Sequence, residues 1–335
     1  TVVLTGDSEG VAVKVCRKVG IDVTSRCQGT TLDSLSDEEL AELTDHCNLF
    51  SKLSPGQKQR VVDAFRKKGH TVGYMGDGIN DTPAMREADV GISVDSAVDI
   101  AKETADIILL EKDLMVLEEG VLAGRRTFGN IMKYIKMAAS GNFGNMISVL
   151  IASIFLPFLP MLPVHILTQN LLNDFAQMGM AFDYVDPEFT AQPQRWNTRS
   201  IKYFMAVMGP LSSVFDILCF LVLWFIVKAN TPALAPLFQA GWFVFGTISQ
   251  VAVIHMIRTA KIPFIESKPA AVLSLSTVLV FITALLIAFT PIAVSIDLMP
   301  LPLSYLPRLL LLTLGYSLAV QLVKQVYIRK FGRWI

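Results

Sequence analysis

Six apolar runs, each close to the roughly 20 residues needed to cross a bilayer as a helix, follow Lys136 and dictate most of what this chain can be. They cover residues 137–156, 164–182, 203–227, 237–256, 271–289 and 303–327. The chain has 29 basic and 29 acidic residues, yet only 19 of these charges lie after Lys136. The first part therefore reads as a soluble α/β domain (residues 1–112), joined by a stalk helix (113–136) to a membrane domain (137–335). Formal net charge is zero, so nothing points to nucleic acid. Cys16, Cys27, Cys47 and Cys219 form no CxxC pair and no metal-ligand spacing, and read as reduced thiols. The first residue is Thr1, and Val2-Val3-Leu4 reads as a buried strand with no preceding element, so the sequence is expected to be cut short at its N-terminus.

Within the soluble part, short β-branched runs alternate with amphipathic stretches. Strands are expected at Val2–Leu4, Leu49–Lys52, Thr71–Met75, Val90–Val94 and Ile107–Leu110. Helices are expected near Glu9–Val19, Asp37–Thr44, Gln57–Lys68 and Thr82–Ala88. Such alternation predicts a parallel sheet covered on both faces, with ligands beyond the carboxyl ends of its strands. Two motifs stand there: Thr5-Gly6-Asp7 after the first strand and Gly76-Asp77-Gly78-Ile79-Asn80-Asp81 after the strand ending at Met75. Glycines let the second turn approach a ligand closely. Two carboxylates four residues apart suit Mg²⁺, which would neutralise a transferring phosphoryl group, with Thr5 as donor and Lys58 as point charge. The same turns also read as ordinary strand-to-helix connections in which Asp7 and Asp81 cap helices.

In the membrane part, Asn142 and Asn145 share one helix face in the first run, and Asn170, Asn173 and Asp174 share one in the second. An acid within a span is costly and usually faces a polar cavity or ion pathway. Two such faces turned together offer amide and carboxylate oxygens to one cation; taken singly, the asparagines also read as interhelical hydrogen-bonding groups. Asp216, in the third run, reads as a structural group with a polar neighbour, a direct ion role being the alternative. Gln250 and His255 lie at or near the end of the fourth run, His255 as an interfacial group. Basic residues fall in alternate loops: Arg195, Arg199 and Lys202, then Arg258, Lys261 and Lys268, then Arg329, Lys330 and Arg333. This bias predicts that the soluble part and the C-terminus share the cytoplasmic side.

Gly76-Asp-Gly-Ile-Asn-Asp81 resembles the hinge signature of P-type ATPases, and Thr5-Gly6-Asp7 and Lys58 of Ser54-Pro-Gly-Gln-Lys58 resemble two further motifs of that family. The runs from Asn48 to Asp174 and from Gln192 to Asn197 are similar to its bacterial magnesium-transporting members. The resemblance implies a haloacid-dehalogenase-like, Rossmann-like phosphorylation-domain part followed by an all-α bundle of six membrane helices. It implies that Asp77 and Asp81 lie at the catalytic Mg²⁺, that Asn80 and Asp81 support the phosphate site, and that Thr5, Gly6, Asp7 and Lys58 belong to the phosphoryl-binding set. It further implies a transported-ion site at Asn142, Asn145, Asn170, Asn173 and Asp174, where Asn145 stands in place of a glutamate of calcium pumps and favours one Mg²⁺ over two Ca²⁺. The family's phosphorylated Asp-Lys-Thr-Gly-Thr run is absent here, as are its nucleotide-binding and actuator domains. The chain is thus expected to be the C-terminal part of an importer in the bacterial inner membrane, inactive alone. ATP would be bound mainly by the missing N-terminal part, and lipid would surround the helices. The alternatives are a pump for Ca²⁺ or H⁺, a phosphatase with a membrane anchor, and a non-catalytic membrane fragment.

Overall fold

The computed structural model describes residues 1–111, 113–332 and 334. It divides into two compact units, Thr1–Gly120 and Val121–Ile335. Lys112, the expected end of the soluble domain, and Arg333, one of the basic residues expected to set orientation, lie outside the described residues.

The first unit runs β1 (Val3–Leu4), α1 (Glu9–Lys18), β2 (Arg26–Gln28), α2 (Gly29–Leu32), α3 (Asp37–Leu43), β3 (Leu49–Ser51), α4 (Pro55–Lys67), β4 (Gly73–Met75), α5 (Thr82–Glu87), β5 (Val90–Val94), α6 (Asp99–Thr104) and β6 (Ile107–Leu109). Every strand pair is parallel, in two three-stranded sheets ordered β1-β3-β2 and β4-β5-β6. The single sheet expected from the sequence is therefore divided, and β2 is an added strand. Its Arg26-Cys27-Gln28 buries only the central residue, too weak a pattern to stand out as a strand. The structure begins β4 at Gly73 rather than Thr71.

Helix α4 joins the halves of this unit. Ser54 accepts from the Gln57 amide while Gln57 Oε1 accepts from the Ser54 amide, and Pro55 opens the first turn, so the start is doubly capped. Val61 packs with Phe50 and Leu40 in one cluster, and the next residue, Val62, packs with Tyr74 and Met85 in the other. Full burial of side chains this size contributes about 1.5–3 kcal/mol each. Among the described residues, strands β1 and β4 each keep one edge unpaired. A groove of about 590 Å³ is lined by Val2, Leu4, Val62, Val72, Tyr74 and Met75, among others.

The second unit is helical. Helix α7 (Leu114–Phe155) is followed by α8 (Pro163–Met178), a short α9 (Pro187–Thr190), α10 (Thr198–Leu221) with a π-helical turn Val222–Ile226, α11 (Ala235–Ile257), α12 (Ala271–Phe289) and α13 (Leu306–Phe331). Stalk and first apolar run are one continuous helix. Among the described residues, five helical segments are long and apolar enough to cross a membrane: Met115–Phe155, Thr198–Ile226, Pro232–Ile257, Ala271–Phe289 and Leu303–Phe331. Six were expected. The second, residues 164–182, is instead the 16-residue α8 plus a 3₁₀ turn, Gly179–Phe182. Gln169, Asn170, Asn173, Asp174 and Gln177 make this segment more polar than the other five, and α8 alone is shorter than a full span, although with its 3₁₀ turn the segment is about that long.

Helix α11 is the centre of this unit, burying residues all round and packing on α8, α10, α12 and α13. Backbones approach closely elsewhere: a Cβ at Gly144 of α7 would stand 2.9 Å from the Gly209 carbonyl and 2.0 Å from Ser212 Oγ of α10. Only glycine permits that crossing, a usual device between membrane helices.

One end of the bundle is tied by charge. Asp183, just after the 3₁₀ turn, has its side chain fully buried. Its carboxylate accepts from Lys133 of α7 at 3.0 Å, from Arg258 Nε at 2.9 and 3.1 Å, and from the Ala270 amide at 3.2 Å. Arg258, counted above as a loop charge, is buried in this network and donates onward to the carbonyls of Ser267 and Lys268. Removing one partner from a buried ion network costs about 3–5 kcal/mol. Asp183→Ala should therefore lower the detergent-solubilised protein's unfolding temperature sharply, whereas Glu188→Ala, which breaks the exposed pair with Lys261, should change it little. Equal effects of the two substitutions in a thermal-shift measurement would contradict this account.

Candidate functional site

The turn after β4 places its six residues unequally. Asp81 closes the 3₁₀ turn Ile79–Asp81, and its carboxylate points back under the turn. Oδ1 accepts from Lys58 Nζ at 2.7 Å and from the Tyr74 hydroxyl at 2.9 Å, while Oδ2 accepts from the Gly78 amide at 3.4 Å. A Cβ at Gly76 would fall 2.4 Å from Asp81 Cβ, so this carboxylate can tuck in only beneath a glycine. Asp77 and Asn80 are exposed at the tip, and the Asp77 carbonyl accepts from the Val98 amide at 3.1 Å.

Lys58 stands in the second turn of α4, 9% exposed, and brings its ammonium into this turn from the other side of the unit. Burial pushes the Asp81 carboxyl upward, but the hydrogen bonds from Lys58 and Tyr74 and the Lys58 charge outweigh it. The group is held below its ordinary value. Burial, then the Asp81 charge, push the Tyr74 hydroxyl well up, so it remains a donor. Tyr74 was not singled out in the sequence, although strand alternation puts it on the inward face.

Thr5, Gly6 and Asp7 follow β1 as a tight turn. Thr5 Oγ1 accepts from the Asp7 amide at 3.1 Å, and the Asp7 carbonyl accepts from the Lys52 amide at 2.9 Å. Asp7 and Gly6 are exposed and Thr5 is half-buried. Among the described residues no group of three or more His, Cys, Asp or Glu side chains could hold a metal on its own. The turn offers two carboxylates, one free and one engaged by Lys58.

The five intramembrane residues expected around one ion are separated. Asn142, Asn170 and Asp174 lie on the surface of the second unit, whereas Asn173 is buried and Asn145 half-buried. Asn173 Nδ2 donates a short hydrogen bond to Gln250 Oε1 of α11. Asn145 and Gln250 line one cavity with Ser140, Gln177, Asp216 and Ser249. Asp174 lines a different groove with Asn130, Tyr134 and Gln177. Gln177 touches both, and could have been found in the sequence because it lies four residues after Asn173 on the same helix face.

An α/β unit of parallel strands with a Lys–Asp pair at its glycine turn, continuing in sequence into membrane-length helices, defines a two-part membrane protein with a haloacid-dehalogenase-like unit. Residues 1–89 match the family described as haloacid dehalogenase-like hydrolase. The chain belongs to the cation-transporting ATPase family, whose C-terminal model matches residues 158–326. It is 55% identical over 330 residues to the magnesium-transporting ATPase, P-type 1, of Escherichia coli strain K12, covering 98% of this chain and 37% of that protein. It is 54% identical over 330 residues to the protein of the same name from Salmonella typhimurium strain 14028s, with the same coverage. Calcium-transporting ATPase 1 of Bacillus cereus is 35% identical over 205 residues, or 60% of this chain and 23% of that one. The chain thus spans 37% of the length of the magnesium-transporting relatives.

The Lys58–Asp81 pair has a pH signature. Because the folded-state carboxyl is depressed, its contribution is present above the unfolded value near about 3.9 and is lost as pH falls through the lower folded value. Lys58→Met should cost about 1–3 kcal/mol near neutral pH and flatten the acid limb, the difference from the parent shrinking as pH falls because the variant no longer holds the Asp81 carboxyl down. Thermal unfolding followed from neutral pH down to about pH 3 checks this; an unchanged acid limb would refute the pairing.

Proposed function

We propose that this chain is the C-terminal portion of an ATP-driven cation pump that brings Mg²⁺ into the bacterial cytoplasm through a phosphoenzyme. The observation that carries the reading is the joint presence, in one chain, of the buried Lys58–Asp81 pair at the hinge turn and a membrane helix bundle with an amide-lined interior. The 55% identity to a magnesium-transporting relative favours Mg²⁺ as cargo.

In this reading the exposed Asp77 carboxylate and the remaining lone pairs of Asp81 hold the catalytic Mg²⁺, a donor set that fits because this ion binds through one or two carboxylates plus phosphate oxygens. When bound there, the ion would neutralise charge on the phosphoryl group. Lys58 supplies a fixed positive charge beside the same turn, Thr5 and the Gly6-Asp7 turn supply donors, and Asn80 orients the site's rim. The nucleophile and most of the ATP site belong to the rest of the polypeptide. The free edges of β1 and β4, with the apolar groove of about 590 Å³ beside them, suit an added parallel strand from that part. Asp174 with Asn170 and Asn142 forms the outer part of the ion path, and Asn145 and Asn173 the inner part. The bundle lies in the bacterial inner membrane; with α8 and its 3₁₀ turn making a sixth crossing inside the bundle, the basic residues Arg195, Arg199, Lys202, Lys261 and Lys268 favour the cytoplasmic side for both the soluble unit and the C-terminus.

The test is growth rescue. The complete gene should restore growth at low Mg²⁺ to a bacterium lacking its own magnesium transporters, and the Asp77→Ala and Asp174→Ala versions should fail although present in the membrane. Rescue by both variants would remove these carboxylates from the reaction and the path. Absence of rescue by the parent would move the cargo to another cation.

A further inference from the structure

The interior cavity has a composition that the outer ion path does not share. It is enclosed by α7, α8, α10, α11 and α13, has a volume of about 40 Å³, and takes Ser140 and Asn145 from α7, Gln177 from α8, Asp216 from α10 and Gln250 from α11. Among the described residues, Asp216 is the only carboxylate on its wall, and no Lys, Arg or His lines it.

Asp216 is 4% exposed. Ser148 donates to its Oδ2 at 2.6 Å and Trp242 Nε1–H to its Oδ1 at 2.9 Å. Two neutral donors fix the carboxylate in place but bring no compensating charge, and each oxygen keeps a further acceptor site. The amide oxygen of Gln177, 9% exposed, is buried without a hydrogen-bond partner, as is that of Asn173 beside Gln250. Buried acceptors are rarely left unmatched. A carboxylate without a counter-charge and the idle amide oxygen of Gln177 on the same wall together call for a bound cation.

Size narrows the cation. One water needs roughly 10–15 Å³ of such space, so the cavity holds about three water-sized bodies, whereas an ion with six waters needs roughly seven. The polar groups on the wall are hydroxyls, amides and one carboxylate, the ligands of a hard ion, set among apolar side chains that include Met137 and Met208.

We propose that this cavity binds one largely dehydrated hard divalent cation, with Asp216 as its carboxylate ligand and Gln177 as an amide ligand. The inference rests on the pump reading above and adds to it an inner site, separate from the Asp174 groove, where the cargo sheds most of its water. Gln177 borders both spaces and passes the ion from one to the other.

The test uses the complete polypeptide in sealed vesicles, with ATP-driven Mg²⁺ uptake followed by an enclosed indicator at graded Mg²⁺. Asp216→Asn keeps side-chain shape and an acceptor but removes the charge; Gln177→Met keeps length but removes the amide oxygen. Each should raise half-saturating Mg²⁺ by about tenfold or more, and Asp216→Glu should recover part of the loss. Half-saturation within about twofold of the parent in Gln177→Met and in Asp216→Asn would overturn the site. If Asp216→Asn is not recovered in the membrane, Gln177→Met decides alone. A parent without ATP-driven uptake would instead overturn the pump reading, a failure visible before any variant is compared.

Discussion

The buried carboxylate of Asp183 is the constraint on which the helical unit depends. It binds Lys133 of α7 and Arg258 at the end of α11, and it caps the amide of Ala270 at the start of α12. Charges so deep are costly unless each finds its partners, so the arrangement is satisfied as a whole or not at all. Lys324 of α13 adds a second tie from the same end, donating to the carbonyls of Met256, Thr259 and Lys261. Because these bonds reach α7, α8, α11, α12 and α13, they set the registers of the helices whose polar faces enclose the inner cavity.

The close crossing of α7 and α10 does the complementary work further along. Gly144 lets the two backbones meet, and the Gly144 carbonyl then accepts from Ser148 at 3.0 Å and from Ser213 at 2.9 Å. That crossing carries Ser148 to Asp216, so a small residue on one helix determines how a carboxylate on another is held. The first unit uses the same logic at Gly76, where a missing side chain admits Asp81 beneath the turn and so brings it to Lys58. In both units a glycine creates the space, filled at Gly144 by Ser212 and the Gly209 carbonyl and at Gly76 by the Asp81 side chain.

Much of this was legible in the sequence, for physical reasons. Apolar length marked the membrane helices, and β-branched runs ending in Gly-Asp turns marked the strand tips where Thr5 and Asp81 stand. What escaped depends on partners distant in the chain. Strand β2 has one inward residue and exists because Cys27 pairs with Phe50 of β3. Helix α8 ends at Met178, and Gly179 beyond it packs so close to α12 that a Cβ there would lie 2.7 Å from the Leu273 Cα; no local signal foretells that. Helical periodicity put Asn170, Asn173 and Asp174 on one face of α8, but only Asn173 is buried, because packing against α11 chose the edge of that face facing Gln250. Asp183 was not singled out, since nothing near it in sequence announces Arg258.

The most direct test of the central claim is to label the complete polypeptide with ATP carrying a radioactive terminal phosphate and to map the label. The account predicts an acid-stable, hydroxylamine-sensitive acyl phosphate on an aspartate outside residues 1–335, discharged at a rate that depends on the transported cation and on Asp77. Label on a residue within this chain, or hydrolysis with no phosphorylated protein at all, would contradict it.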